Sequence, residues 1–134
     1  MNGHTLPKIF IFNENIDAGY LYSLYADDYQ YIEEVFAITL QQYNEDLNAL
    51  HQAWAAEAVA DLKRGIHKIK PAFGFVGLLD VQEQCAAFED LCQRASGTAA
   101  LAGPYQQIIT TLAVSKTLLE SEYLKLKEFN GTPL

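Results

Sequence analysis

One stretch decides the fold of this chain: Leu62-Lys63-Arg64-Gly65-Ile66-His67-Lys68-Ile69-Lys70-Pro71-Ala72-Phe73-Gly74-Phe75-Val76. Its apolar residues recur at intervals of four, three, four and three positions, which is the spacing of one face of an α-helix. These residues are Leu62, Ile66, Ile69, Phe73 and Val76. On a helical wheel at about 100° per residue, His67 lies outside this apolar face. The stretch therefore predicts an amphipathic helix, from near Ala53 to a break at about Gly77, that presents His67 to solvent.

The same stretch concentrates positive charge around His67. Four of the nine Lys and Arg residues lie within eight positions, and no Asp or Glu occurs from position 62 to 79, although the formal net charge of the chain is -8. The four basic residues are Lys63, Arg64, Lys68 and Lys70. The wheel places positions 63, 64 and 70 on the outward side within one turn of His67, with the small residues Ala60 and Gly74 beside it. We interpret this as an accessible, positively charged site for a strongly anionic group, such as a phosphoryl group.

The rest of the chain also shows helical periodicity and no strand-like alternation. A lead-in over residues 1–14 and a tail over residues 130–134 are expected to be irregular. The predicted helices run from Asp17 to about Tyr25, from the Asp27-Asp28 N-cap to about His51, from near Ala53 to Gly77, from an Asp80 cap to about Ala95, and from Pro104 to about Phe129. Long amphipathic helices with short connections predict one all-α domain over residues 15–129. We expect an antiparallel, up-down four-helix bundle with a short extra N-terminal helix.

Composition excludes several classes of function. The sequence pI near 4.7 argues against nucleic acid and anionic membranes as partners. No apolar run approaches the roughly 18–20 residues that span a bilayer, and the N-terminus does not resemble a signal peptide. Cys85 and Cys92 would lie about 10 Å apart along one helix, too far for a disulfide. A cytoplasmic protein with free thiols is expected.

Metal and nucleotide chemistry have little support in the sequence. His4, His51 and His67 are far apart in the chain, and neither a Cys-x-x-Cys motif nor a Glu-x-x-His motif occurs. A glycine-rich loop followed by Lys-Ser or Lys-Thr is also absent from the sequence. We therefore expect no metal site and no bound cofactor in this chain.

The sequence around His67 resembles the histidine-containing phosphotransfer (HPt) domain of multistep two-component signalling. Members carry a histidine in a pattern close to His-x-Leu-Lys-Gly, followed shortly by another glycine, and here the pattern is His67-Lys68-Ile69-Lys70-Pro71. His67 matches the phosphoacceptor, Lys70 the basic residue three positions later, and Gly77 the glycine that ends the helix. The resemblance extends from about Ile16 to Phe129. Pro71 departs from the usual glycine, and we expect it to kink the helix and to affect the choice of partner.

The resemblance implies a phosphorelay intermediate. His67 would accept a phosphoryl group through Nε2 from an aspartate of a receiver domain and pass it to another receiver domain. Lys70 would neutralise the phosphoryl oxygens, and the surrounding binding face would consist of Lys63, Arg64, Lys68, Pro71 and Gly74. The partners would be receiver domains of response regulators or hybrid histidine kinases, and these would supply Mg²⁺. The chain would be a monomeric, stoichiometric phosphocarrier and not an enzyme.

Two alternatives remain open from the sequence. Such a bundle could dock on receiver domains, or regulate another protein, without transferring a phosphoryl group, and Pro71 gives this interpretation some weight. A four-helix oligomerisation unit would instead need an exposed apolar face. Tyrosines crowd the first two helices and could either supply contact area beside the site or cap the open end of the bundle, namely Tyr20, Tyr22, Tyr25, Tyr29 and Tyr31.

Overall fold

A computed structural model describes residues 8–133, and this part of the chain is helical with no β-strand. The helices are α1 (Ala18–Tyr25), α2 (Tyr29–Ala55), α3 (Val59–Phe75), α4 (Leu79–Arg94) and α5 (Ala102–Asn130), with a 3-10 turn at Ala99–Leu101. Each long helix packs on the next, and α5 returns to α2, so the four close into a bundle. Because the connections are short, neighbouring helices run antiparallel. The predicted fold, a four-helix bundle with a short extra helix, is confirmed.

The predicted core face of α3 is buried in the centre of the bundle. All five of its apolar residues are inaccessible or nearly so: Leu62, Ile66, Ile69, Phe73 and Val76. The opposite wall comes from α2 and α5, which the Tyr43 hydroxyl joins by donating to the Leu112 carbonyl oxygen at 2.7 Å. Cys85 and Cys92 are buried free thiols on α4, as the sequence predicted. No helix in the described range is both long and apolar enough to cross a membrane.

The lead-in is irregular where it is described, but it packs against the bundle. Residues 8–14 form no helix, yet Phe10 is buried, and its ring packs edge-on against Phe129 with 5.4 Å between centroids. The Asn13 amide donates to Glu122 Oε1 at 2.7 Å. The lead-in therefore crosses the end of α5. Residues 1–7 of the predicted lead-in and Leu134 of the predicted tail lie outside the described residues.

Aspartate caps begin the first two helices but not the fourth. The Asp17 and Asp28 carboxylates accept from the amides of Tyr20 and Tyr31 at 2.9 and 3.1 Å, as expected for N-caps. The predicted Asp80 cap of α4 is wrong, because that helix begins at Leu79 and Leu78 occupies the N-cap position. Asp80 lies inside the first turn of α4, where its negative charge interacts favourably with the helix dipole.

The turn between α2 and α3 lies four to six residues later than predicted. The helix α2 continues through Ala55, and Glu57 reverses the chain with a left-handed φ of 53°. The Ala58 amide donates to the Ala53 carbonyl oxygen at 2.9 Å and closes the helix end. The predicted break between His51 and Ala53 is therefore wrong. Left-handed helix ends usually use glycine, and this one offers no such signal in the sequence.

Gly77 ends α3 and ties it to the start of α1. Its φ is +76°, and the Leu78 amide donates to the Phe73 carbonyl oxygen at 2.8 Å, which is a Schellman helix end. The Gly77 carbonyl oxygen accepts from the Asp17 amide at 2.9 Å. A Cβ at position 77 would lie 2.9 Å from Leu21 Cγ. The glycine is required both by its backbone conformation and by this close approach.

We expect Gly77→Ala to destabilise the bundle more than Gly131→Ala does. Both glycines have a positive φ, near +76° and +71°, but a Cβ at position 131 would meet nothing within 4 Å. Gly131→Ala should cost about 1 kcal/mol for the left-handed conformation alone. Gly77→Ala should cost a further 1–3 kcal/mol, roughly, for overpacking against Leu21. Urea unfolding measures both losses, and equal losses would contradict the packing argument.

Candidate functional site

His67 lies in the middle of α3 with its imidazole in solvent. The side chain is 68 % exposed, as the helical wheel predicted. It borders a shallow groove of about 940 Å³ between α3 and α4. The groove is lined by Val59, Ala60, Lys63, Arg64, His67 and Lys68 from α3 and by Glu89, Cys92 and Gln93 from α4. A bulky partner can therefore reach the ring directly.

A carboxylate on the neighbouring helix holds the imidazole in place. His67 Nδ1 lies 2.7 Å from Glu89 Oε2. An ionised carboxylate can only accept hydrogen bonds, so in this contact Nδ1 carries the proton and donates it. In the neutral ring the other nitrogen, Nε2, then has a free lone pair. The contact fixes both the orientation and the tautomer of His67.

Lys70 stabilises the ionised form of the Glu89 carboxylate. Its ammonium donates to Glu89 Oε1 at 2.6 Å, on the oxygen that His67 does not use. The hydrogen bond from Lys70 is the main reason that the pKa of Glu89 lies below its ordinary value of 4.5. Burial of the carboxyl acts in the opposite direction, and the bond to His67 adds to the lowering. The three side chains form a chain of contacts, Lys70–Glu89–His67, that joins α3 to α4.

The predicted exposure of Lys70 is wrong. Its side chain is only 26 % exposed, because it lies along the seam between α3 and α4, where it meets a carboxylate that is itself 14 % exposed. Whether Lys70 also contacts a phosphoryl group stays a prediction. The contact that the structure gives it is with Glu89.

Neighbouring carboxylates balance most of the positive charge of the four basic residues around His67, contrary to the expectation of an open positive site. Lys68 lies 3.4 Å from the buried carboxylate of Asp46 on α2. Arg64 pairs with Asp61 one turn earlier on α3. The sequence window from 62 to 79 contains no acid, but α2 and α4 bring Asp46 and Glu89 to it. Among the described residues, the fourth cation, Lys63, is bonded to the neutral amide of Gln93 and to no carboxylate.

Pro71 and Gly74 lie in different surroundings, although both were predicted to form part of the binding face. The helix continues through Pro71, which is exposed one turn after His67. The predicted kink at Pro71 stays a prediction. Gly74 is buried, because the Gln82 side chain of α4 lies over it, and a Cβ there would meet Gln82 Nε2 at 2.8 Å. The expectation that Gly74 forms open surface beside His67 is therefore wrong.

Exposed aromatic side chains continue the face beyond Pro71. Positions 67, 71 and 75 are spaced four apart, so Phe75 lies two turns from His67 on the same side of α3, and its side chain is largely exposed. The Tyr25 hydroxyl donates to the Phe75 carbonyl oxygen at 2.9 Å, and the Tyr25 and Tyr31 rings are 5.5 Å apart. The first two helices thus place aromatic surface beside Phe75, two turns of α3 from His67. That the tyrosines supply contact area for a partner stays a prediction.

Two residues of the site, Glu89 and Gln93, were missed by the sequence analysis. Both lie at the edge of the apolar stripe of α4, each one position after a buried stripe residue. An edge position on a helix that packs beside His67 is a weak signal, since it applies to several polar residues. In the described part of the chain, no group of three His, Cys, Asp or Glu side chains is placed to hold a metal ion.

We expect Glu89 to stabilise the fold in a pH-dependent manner. A carboxyl whose pKa is lowered by folding contributes stability that is complete above its ordinary value of 4.5 and is lost as the pH falls through the lowered value. Near pH 7, Glu89→Gln should therefore cost about 1 kcal/mol of unfolding free energy. That difference from the wild type should shrink as the pH falls below 4.5 and the carboxyl becomes protonated.

Urea unfolding at several pH values measures this difference. Glu83→Gln, an exposed position on the same helix, is the control and should change stability by less than about 0.5 kcal/mol at each pH. A Glu89→Gln deficit that stays constant, or grows on acidification, would show that the ionised carboxylate is not the stabilising form.

Comparison with known proteins identifies the family. A family model described as the Hpt domain matches residues 34–123. The HPt domain from the Hpt sensor hybrid histidine kinase of Shewanella has a similar structure, with a TM-score of 0.72 and 14 % identity over 83 % of this chain and 95 % of that one. At that identity the likeness shows the fold alone. No curated protein matches the sequence significantly. Because the family model spans well over half of the chain and includes His67, Lys70 and Glu89, this chain belongs to the Hpt domain family.

Proposed function

We propose that this chain is a phosphorelay intermediate that carries a phosphoryl group on His67. Membership of the Hpt domain family supports the histidine phosphotransfer role. The observation that carries the assignment to His67 is its contact with Glu89 at 2.7 Å, in a side chain that is otherwise open to solvent. A partner meets the free lone pair of Nε2, because Nδ1 is occupied.

The transfer step needs no proton movement at the attacking atom. The Nε2 lone pair attacks the phosphorus of an aspartyl phosphate on a receiver domain, in line with the P–O bond that breaks. An N–P bond forms, and the aspartate carboxylate leaves with the bonding electron pair. The imidazole keeps its Nδ1 proton and gains a positive charge. Reversal of these steps on a second receiver passes the phosphoryl group onward.

Glu89 stabilises the charge that develops in this step. Its carboxylate is already ionised and already accepts from Nδ1, so it needs no rearrangement when the ring becomes cationic. Lys70 has a positioning role, since its bond at 2.6 Å to the other oxygen stabilises the charged form of Glu89 and holds it in place. A ring held in this way therefore stabilises the cationic, phosphorylated form better than a freely rotating histidine would.

The receiver domain provides what this chain lacks for the reaction. We propose that the receiver binds Mg²⁺ beside its aspartyl phosphate, and that this chain brings no cofactor of its own. Docking would use the exposed face of α3 at Pro71 and Phe75, with Tyr31 beside it. One acceptor histidine per chain makes the protein a stoichiometric carrier and not an enzyme, and it requires no more than a monomer. A cytoplasmic location fits these partners.

His67→Gln is expected to abolish phosphoryl transfer, while His51→Gln leaves it unchanged. Glutamine has no nucleophilic nitrogen but keeps polar surface at position 67. His51 is the matched control, because it is a histidine on α2 whose Nδ1 lies 3.1 Å from the Tyr105 hydroxyl. The measurement is transfer of radiolabel from phosphorylated receiver domains of the same organism to the chain, followed by an acid-lability test of the label.

The same experiment distinguishes the carrier from a docking module. An acid-labile label on the wild type and on His51→Gln, but not on His67→Gln, would establish the proposed carrier. Label on no variant, with receiver binding intact, would mean that the chain docks without transfer, and the exposed Pro71 would be the first position to test. Label that persists on His67→Gln would place the acceptor elsewhere.

A further inference from the structure

Four cations surround His67, but their bonding partners differ in kind. Lys70, Lys68 and Arg64 each contact a carboxylate, from Glu89, Asp46 and Asp61 respectively. Lys63 instead donates to the side-chain oxygen of Gln93, which carries no charge. In the part of the chain that the structure describes, Lys63 is thus the one cation of the four whose charge is not balanced by a bonded carboxylate.

Lys63 also lies on the side of His67 toward which the ring leans. Side chains of an α-helix tilt toward its N-terminus, so the imidazole covers the preceding turn, which contains position 63 and not position 70. The two helices face each other antiparallel, and the contacts pair His67 with Glu89 and Lys63 with Gln93 one turn away. All four side chains line the same groove of about 940 Å³. Lys63 and His67 therefore lie one turn apart along the same groove, with the Lys63 ammonium held there by Gln93.

We propose that Lys63 is the cation that binds the phosphoryl oxygens carried on His67. This inference rests on the proposed function, since it assigns the anion site of the same histidine. The ammonium exchanges its bond to a neutral amide oxygen for a bond to a phosphoryl oxygen that carries negative charge, and so gains an ion pair that Gln93 does not offer. Gln93 holds Lys63 near the groove in the unphosphorylated state. Because Gln93 is neutral, the departure of Lys63 leaves no unpaired charge behind.

The other cations are less suited to this task. Moving Lys70 onto the phosphoryl group would leave one oxygen of the mostly buried Glu89 carboxylate without its hydrogen-bond donor. Moving Lys68 would remove the cation that pairs with Asp46, which is also buried. Arg64 is bound to Asp61 in an exposed pair, and its charge is largely balanced before any phosphoryl group arrives. Lys63 binds an anion without either penalty.

The test compares Lys63→Met with Lys116→Met in the full-length chain. Methionine keeps the apolar stem and removes the charge. Lys116 is the matched control, because it is also half-buried, lies on α5 away from the groove, and has no carboxylate partner among the described residues. Transfer from a phosphorylated receiver should slow roughly 10- to 100-fold in Lys63→Met and by less than about threefold in Lys116→Met. Lys63→Arg should recover most of the rate.

A second measurement separates phosphoryl binding from receiver docking. The chain is phosphorylated chemically with phosphoramidate, and the ³¹P shift of the phosphohistidine is followed against pH. A cation beside the phosphoryl group favours its doubly charged form, so the titration midpoint in Lys63→Met should rise by about 0.5–1 unit relative to the wild type and Lys116→Met. Circular dichroism checks the fold, and Lys63→Gln replaces Lys63→Met if the latter does not fold.

The outcomes separate this inference from the proposed function. Slower transfer together with a raised midpoint in Lys63→Met supports the assignment. An unchanged midpoint overturns it, whether the rate is unchanged or reduced, because a rate effect alone would mean that Lys63 acts on the receiver. Failure of the wild type itself to accept label would overturn the proposed function, while the phosphoramidate titration still tests whether Lys63 meets an anion on His67.

Discussion

The two contacts that the Glu89 carboxylate makes, one with His67 and one with Lys70, are the constraint on which the site depends. They place a mostly buried carboxylate at the seam of α3 and α4, where an ionised group is stable only if its oxygens are bonded. Lys70 and the imidazole Nδ1 satisfy one oxygen each, at 2.6 and 2.7 Å. The need of the fold for a partnered carboxylate and the need of the chemistry for an oriented imidazole are therefore met by the same atoms.

This arrangement gives the four basic residues around His67 a different role from the one that the sequence suggested. The sequence suggested that four basic residues collect around His67 to hold an anionic ligand. In the structure, Lys70 and Lys68 balance the mostly buried carboxylates Glu89 and Asp46, which come from the two helices on either side of α3. Much of the local positive charge therefore serves the packing of an acidic bundle. Among the four cations, this leaves Lys63, which has no carboxylate partner among the described residues, as the charge available to a ligand.

Local patterns predicted the fold because the spacing of apolar residues along one helix determines which face of that helix is buried. The stripe from Leu62 to Val76 gave the buried face of α3 and the exposure of His67 without reference to any other helix. The turn at Glu57 was misplaced for the opposite reason, since a non-glycine residue takes the left-handed position there and leaves no signal. Asp80 was misassigned as a cap because an aspartate favours both the cap and the first turn of a helix.

The site was only half predictable, because its second half lies on another helix. Family resemblance supplied His67 and Lys70, but Glu89 is 22 residues from His67 and meets it only through the register of α3 against α4. The same register explains Gly74, which a wheel of α3 alone places at the surface and which Gln82 of α4 covers. Contacts between helices depend on which faces pack, and the spacing within one helix does not contain that information.

The most direct test of the account is the tautomer of His67 in the free protein. Long-range ¹H–¹⁵N correlation spectra of the neutral ring distinguish a protonated from an unprotonated nitrogen, and a His67→Gln sample assigns the signals. The account predicts a protonated Nδ1 and an unprotonated Nε2, and it predicts that the preference weakens in Glu89→Gln. A neutral ring protonated at Nε2 would contradict the central claim, because the exposed nitrogen would then have no lone pair with which to attack.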